Sequence, residues 1–127
     1  MDNLREQLLA LPVDPKPRNY QRHDVIWNAG DSATSCMLLL VGQVAIETAA
    51  SQDGLRLEIA TRSSGDLIGE MSLFSKIRSA RVICTREVQA IEFRHTDIIE
   101  HLKIAPDFAL RLLSLSYERV GELTPRI

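Results

Sequence analysis

Two short runs gather the residue types that could do chemistry: Gly65-Asp66-Leu67-Ile68-Gly69-Glu70-Met71-Ser72-Leu73-Phe74 and, a few positions on, Arg78-Ser79-Ala80-Arg81-Val82. A glycine-rich turn leading into a helical start near Glu70 leaves backbone N–H groups without partners, and such groups attract an anion. Arg78 is close enough in sequence to return to that turn, where its planar guanidinium can hold two phosphate oxygens at once. An ionised Glu70 accepts hydrogen bonds and donates none, so it suits a hydroxyl. An anion grip beside a hydroxyl acceptor is complementary to a ribose phosphate. The same two charges, eight residues apart around a turn, also fit an exposed ion pair worth about 0 to 1 kcal/mol. Spacing does not separate the two readings.

Little else in the chain suggests catalysis. His95 and His101 are six residues apart, which does not stack them one helical turn apart on a common face, and His23 is alone, so no metal pair is expected. Ser72, Ser75 and Ser79 have no His near them in sequence, and neither a GxSxG elbow nor a P-loop occurs. A metal enzyme on a small barrel would need two or three His with a carboxylate on inward strand positions. The three His here fall outside the strands expected to line a pocket. Cys36 and Cys84 are isolated and read as small buried apolar residues in a reducing compartment. The expectation is a non-enzyme without cofactor or metal.

The elements that must position the two runs can be read from texture. From Asn19 to Phe93 short β-type runs alternate with turn signals at Asn28-Ala29-Gly30-Asp31, Ser51-Gln52-Asp53-Gly54 and Ser63-Ser64-Gly65-Asp66. Leu55, Leu57 and Ile59 alternate with Arg56, Glu58 and Ala60, and Val44 and Ile46 alternate after Gly42, the period of strands with one face inward. Before this region, Asn3 and Glu6 form a capping box ahead of Leu4, Leu8 and Leu11, and Pro12, Pro15 and Pro17 end that helix. After it, Thr96 can cap a short helix through Leu102, and Pro106 opens a longer one. The long helix carries two stripes, Phe108, Leu112 and Leu115 on one side, and Ala109, Leu113, Ser116, Val120 and Leu123 on another. The second repeats as a helix-pairing seam does, although packing on a barrel would serve as well.

With 127 residues the chain fits one domain with one core. Fifteen basic against seventeen acidic residues leave a net charge of -2, without the basic surplus that grips a nucleic-acid backbone, so direct DNA binding by this chain is not expected. The apolar run Met37 to Val41 is too short to cross a bilayer and Met1-Asp2-Asn3 is not a basic signal region, so no membrane partner and a cytoplasmic setting are expected.

The run Gly65-Asp66-Leu67-Ile68-Gly69-Glu70 followed by Arg78-Ser79-Ala80 resembles the phosphate-binding cassette of the cyclic-nucleotide-binding domain family, in particular bacterial catabolite-activator proteins. Asp24-Val25-Ile26-Trp27, Gly30-Asp31 and Leu40-Val41-Gly42-Gln43-Val44 match the family's earlier barrel pattern. Asp97-Ile98-Ile99-Glu100-His101-Leu102, Ala105-Pro106-Asp107 and Leu112-Leu113 are similar to the two helices that follow it. The resemblance implies a mainly β fold, a double-stranded β-helix (jelly-roll-like) barrel with an N-terminal helix and two C-terminal helices. Residues 1–18 would be the N-terminal helix and linker, 19–95 the barrel with cassette 65–82, and 96–127 the C-terminal helices.

It also implies roles. Arg78 and Ser79 would hold a cyclic phosphate with the backbone N–H groups of Ser72 and Ala80, Glu70 would accept the ribose 2'-hydroxyl, and Gly69 would allow close backbone approach, with Met71 inside the same cassette. Ile46 and Ile59 fall where inward strand residues contact ribose and base, and Thr124 falls near the position that offers a polar helix side chain to adenine; Tyr117 could stack on a purine. The implied ligand is cAMP, with cGMP second, and the implied output is a relay through the C-terminal helix, hinged near Ala105, with Phe108 and Leu112 packed near Leu73 and Phe74. A homodimer through that helix fits the same pattern. Two departures stand out: the interval from Glu70 to Arg78 is one residue shorter than in most family cassettes and two shorter than in catabolite activators, with no Pro before Arg78, and the sequence ends at Ile127 before any helix-turn-helix. The short interval keeps open a relative that retains the fold as an interaction module without nucleotide.

Overall fold

In the computed structural model, which describes residues 3–122, two four-stranded antiparallel sheets face each other. The first has the order β1 (Lys16–Tyr20), β8 (Val88–Arg94), β3 (Ser35–Val41), β6 (Leu67–Ile68); the second has β2 (Val25–Trp27), β7 (Arg81–Cys84), β4 (Gln43–Glu47), β5 (Glu58–Ser63). Helix α1 (Asn3–Leu9) precedes the sheets, and α2 (His95–Leu102) and α3 (Pro106–Gly121) follow them. This is the mainly β, jelly-roll-like architecture with one leading and two trailing helices that the sequence led us to expect.

Strand β3 explains the apolar run at its centre. Met37 and Leu39 point between the sheets, into a cluster with Trp27, Val44, Ile68, Val82, Cys84 and Val88. Cys36 and Leu38 point the other way, into a cluster with Leu8, Leu67, Leu73, Phe93, Ile98, Phe108 and Leu112. A strand covered on both faces needs apolar residues at every position, so the run reflects double burial. The stripe Phe108, Leu112 and Leu115 faces this second cluster, with Phe108 and Leu112 buried.

Four details differ from the sequence reading. Strand β1 begins at Lys16, so Pro17 lies within it; the strand pairs only with β8, and a residue without an N–H is tolerated on an edge strand. Helix α2 begins at His95 with Arg94 as the flanking residue and no side-chain cap, so Thr96 does not cap it. Leu55 and Leu57 lie outside β5 and are 64% and 69% exposed: they belong to a hairpin closed by Thr48 N–H to Leu57 C=O at 2.9 Å, with no opposite sheet to cover them. Phe74 is 74% exposed, and only its neighbour Leu73 joins Phe108 and Leu112.

Gly42, between β3 and β4, has φ +106°, and a Cβ there would lie 2.1 Å from the Glu87 carbonyl oxygen and 2.9 Å from Val88 Cα. Both obstacles are backbone and cannot swing aside. Gly42→Ala should cost about 1 to 2 kcal/mol from the left-handed backbone alone, with the overlap adding to it. A urea midpoint equal to that of the parent would contradict this close approach.

Candidate functional site

The turn after β6 sets the site. Gly69 takes φ 87°, and the helical start expected near Glu70 is a single 3-10 turn, Glu70–Ser72. Ser72 N–H donates to Gly69 C=O at 3.4 Å and Leu73 N–H to Glu70 C=O at 3.2 Å. The short interval to Arg78 is closed by Lys76, with φ 63°, and by ties to the turn before β3: Ala33 N–H to Lys76 C=O at 2.9 Å, Arg78 N–H to Asp31 C=O at 2.8 Å and Gly30 N–H to Arg78 C=O at 2.9 Å. The missing residues are therefore absorbed by one left-handed residue and a second turn that braces the loop.

Gly69, Glu70, Met71, Ser72, Ser79, Ala80, Ile46 and Ile59 all line one cavity of about 90 Å3, together with Trp27, Ile68 and Val82 from the strands. Its remaining wall is Arg62 of β5, Arg119 of α3, and Glu122. Thr124 lies outside the described residues. Tyr117 is 80% exposed on α3 and is not part of the cavity wall.

Glu70 is buried, and its Oε1 accepts a hydrogen bond from Arg119 Nη1, which also donates to the Leu67 carbonyl. Glu70 Oε2 has no partner among the described residues. Burial pulls the Arg119 pKa down and the Glu70 charge opposes that shift. Beside this pair Arg62 Nη1 donates to Glu122 Oε2 at 3.0 Å, and Arg62 Nη2 bonds the other oxygen. Two ion pairs thus tie the end of α3 to the cavity wall. Arg119 was not among the residues singled out from sequence, yet a signal was there: Phe108, Leu112, Leu115 and Arg119 continue one stripe at helical spacing, and a cation on a buried stripe requires a carboxylate to meet it.

Arg78 is the exception among the cassette residues. Its guanidinium is buried outside the cavity, with Cζ 3.6 Å from the ring centroid of Trp27. Nη2 donates to Ser35 Oγ at 3.3 Å, Ser35 Oγ donates to Glu92 Oε2 at 2.6 Å, and Arg18 Nε donates to the other oxygen, Glu92 Oε1, at 2.8 Å. Arg78 lines an open cleft on the other side of Trp27, with Arg18, Asp31, Ser35 and Glu92, and Trp27 lines both spaces. The exposed Glu70–Arg78 pair that spacing allowed is not formed, since Glu70 pairs with Arg119.

His95 is buried at the start of α2. Burial first, and then the Arg78 charge, hold its pKa below the ordinary 6.5. Cys36 and Cys84 are free and buried, and burial pushes the Cys36 thiol up to about 12 with the Glu70 charge adding to it. Among the described residues no group of three or more His, Cys, Asp or Glu could hold a metal ion, and no helix is long and apolar enough to cross a membrane.

The family model described as the cyclic nucleotide-binding domain matches residues 17–104. Among solved structures, the catabolite activator protein of Thermus thermophilus superposes with a TM-score of 0.80 at 23% identity, covering 97% of this chain and 57% of that one. The c-di-GMP responsive global regulator CLP of Xanthomonas campestris gives 0.78 at 22% identity, covering 94% and 58%. The N-terminal domain of a transcriptional regulator from Streptomyces coelicolor A3(2) gives 0.69 at 25% identity, covering 98% and 87%. This chain therefore spans less than two thirds of the first two proteins. No curated protein sequence matches it.

The buried His95 gives an acid dependence. Its folded pKa lies below its unfolded value of about 6.5, so the unfolded chain binds the proton more readily and the stability present above pH 6.5 is lost as pH falls through the window below it. The slope can approach about 1.4 kcal/mol per pH unit. Thermal midpoints of the parent should fall from pH 6.5 towards 5.5 more steeply than those of His95→Gln; parallel curves would mean that His95 is not held neutral.

Proposed function

Because the chain belongs to the cyclic nucleotide-binding domain family, we propose that it is a regulatory sensor of cAMP, with cGMP as the weaker ligand, and that it relays binding through α3. One observation carries this reading: eight cassette and strand residues converge on a single cavity whose last wall is the end of α3. Pockets for drug-sized ligands run to about 300–1,000 Å3, so a purine mononucleotide entering a cavity of about 90 Å3 must displace part of its wall. The strands are fixed by their ladders, whereas α3 is held there by Arg119–Glu70 and Arg62–Glu122. A ribose hydroxyl donating to Glu70 Oε2, which has no partner among the described residues, would share the carboxylate that holds Arg119 through Oε1. Binding and the position of α3 are thereby coupled, and Leu73, Phe108 and Leu112 carry the strain into the helical cluster.

In the proposed complex Arg78 and Ser79 hold the cyclic phosphate with the backbone of Ser72 and Ala80, and Ile46 and Ile59 flank ribose and base. A purine-facing role for Thr124 is part of the same proposal. The outward face of α3, where Leu110, Leu113, Tyr117 and Val120 are exposed, suits pairing with a second copy. Any DNA-directed output would belong to a longer protein of which this is one domain. A second reading, an interaction module without nucleotide, is favoured by one observation, the withdrawal of Arg78 from the cavity.

Calorimetric titration with cAMP, cGMP and c-di-GMP separates these readings, and heat with none of them supports the interaction module. Arg78→Ala removes charge-assisted bonds to phosphate worth about 1.5 to 3 kcal/mol, so cAMP affinity should fall roughly 10- to 150-fold; unchanged affinity rejects the phosphate role. Saturating cAMP should alter hydrogen exchange over residues 106–122, since a coupling of about 1 to 3 kcal/mol changes the local equilibrium roughly 5- to 150-fold. Identical protection with and without bound ligand rejects the relay.

A further inference from the structure

We propose that Trp27 is a positioning residue: it holds the guanidinium of Arg78 outside the cavity until the phosphate of an entering ligand draws it across. The proposal rests on the cyclic-nucleotide reading. The backbone of Arg78 is fixed on both sides, by its N–H to Asp31 and its C=O from Gly30, and the next two residues, Ser79 and Ala80, line the cavity. The side chain alone therefore decides on which side of Trp27 the charge lies.

Its present location is held loosely. A guanidinium carries five N–H donors, but only Nη2 has an acceptor, the Ser35 hydroxyl at 3.3 Å, while Nε and Nη1 are buried with no partner among the described residues. Otherwise the group rests on the face of the indole. A ring face is a weaker partner for a cation than the charge-assisted, bidentate bonds a phosphate offers.

The barrier to the cavity is also thin. A Cβ built on Gly69 would lie 2.8 Å from Arg78 Nη1 and 3.0 Å from Trp27 Cη2, and Gly69 and Trp27 are both part of the cavity wall. The Gly69 backbone and the edge of the indole lie close to Nη1 and also wall the space the ligand would fill. A tilt of Trp27 opens that gap, and the absence of a side chain at Gly69 leaves it clear. Recognition of the phosphate then becomes a separate event from occupation of the cavity, so a nucleoside without phosphate enters without moving Arg78.

Trp27 is the only tryptophan in the chain, so its emission reports the event directly when excited at the red edge of indole absorption, where adenine does not absorb. In the parent, cAMP should change the emission with the midpoint found by calorimetry, and adenosine should change it at least severalfold less. Free Arg78→Met should emit as the cAMP-bound parent does, and saturating cAMP should then add little. Heat without an emission change in the parent overturns the role of Trp27 and leaves the ligand reading intact. An equal cAMP-induced change in Arg78→Met assigns the signal to the ligand's own contact with the ring and also overturns it. No heat with cAMP or cGMP overturns the ligand reading and this proposal together.

Discussion

The carboxylate of Glu70 is withdrawn from water with only 4% of the residue exposed, and a charge so placed costs several kcal/mol unless a counter-ion meets it. The counter-ion comes from Arg119, 49 residues further along the chain. That requirement fixes much of the molecule. Helix α3 must start where Pro106 starts it, run through its fourth turn, and present the stripe of Phe108 and Leu112 inward so that Arg119 arrives over the cassette. The second bond from Arg119, to the Leu67 carbonyl, ties the same helix to the strand that leads into the cassette. Loss of either partner would strand the other as a buried, uncompensated charge, so cavity wall and helix position are one structural unit.

The cassette also joins the two halves of the core. Within it, β6 sends Leu67 to the helical cluster and Ile68 to the space between the sheets, and Leu73, after the 3-10 turn, returns to the helical cluster. Close-packed interiors transmit small displacements because they have few voids to absorb them. A change around Gly69 and Glu70 is therefore felt on both sides of the first sheet, and the helical side includes Phe108 and Leu112.

Much of the fold was legible because its signals are local. Turn glycines, two-residue alternation and the proline that opens α3 each act within a few residues, and they marked the mainly β body and its trailing helices. The cavity residues were legible as a set through resemblance, and six from the cassette and two from the strands do share one space. What stayed hidden depends on partners from distant elements. The direction of the Arg78 side chain is decided by Trp27 on β2 and Ser35 on β3, and the burial of Arg119 by a glutamate on another segment. Leu55 and Leu57 kept strand-like alternation but lie on a hairpin with no opposing sheet, a fact of tertiary placement that period alone cannot carry.

The order of strands has a consequence for how the chain comes together during synthesis. The second strand of the first sheet is the last strand in sequence, and both β1 and β3 pair with it: Arg18 lies opposite Ala90 and Leu38 opposite Ile91. Until residue 94 has left the ribosome, the first sheet lacks its central strand and β1 has no strand to pair with. Pairings across such long loops are slow to nucleate because the loop must close before any contact rewards it. The nascent chain therefore holds its β3 apolar run, from Cys36 to Leu40, without its β8 neighbour until residue 94 is made, and the two trailing helices arrive only after every strand of the sheet they cover.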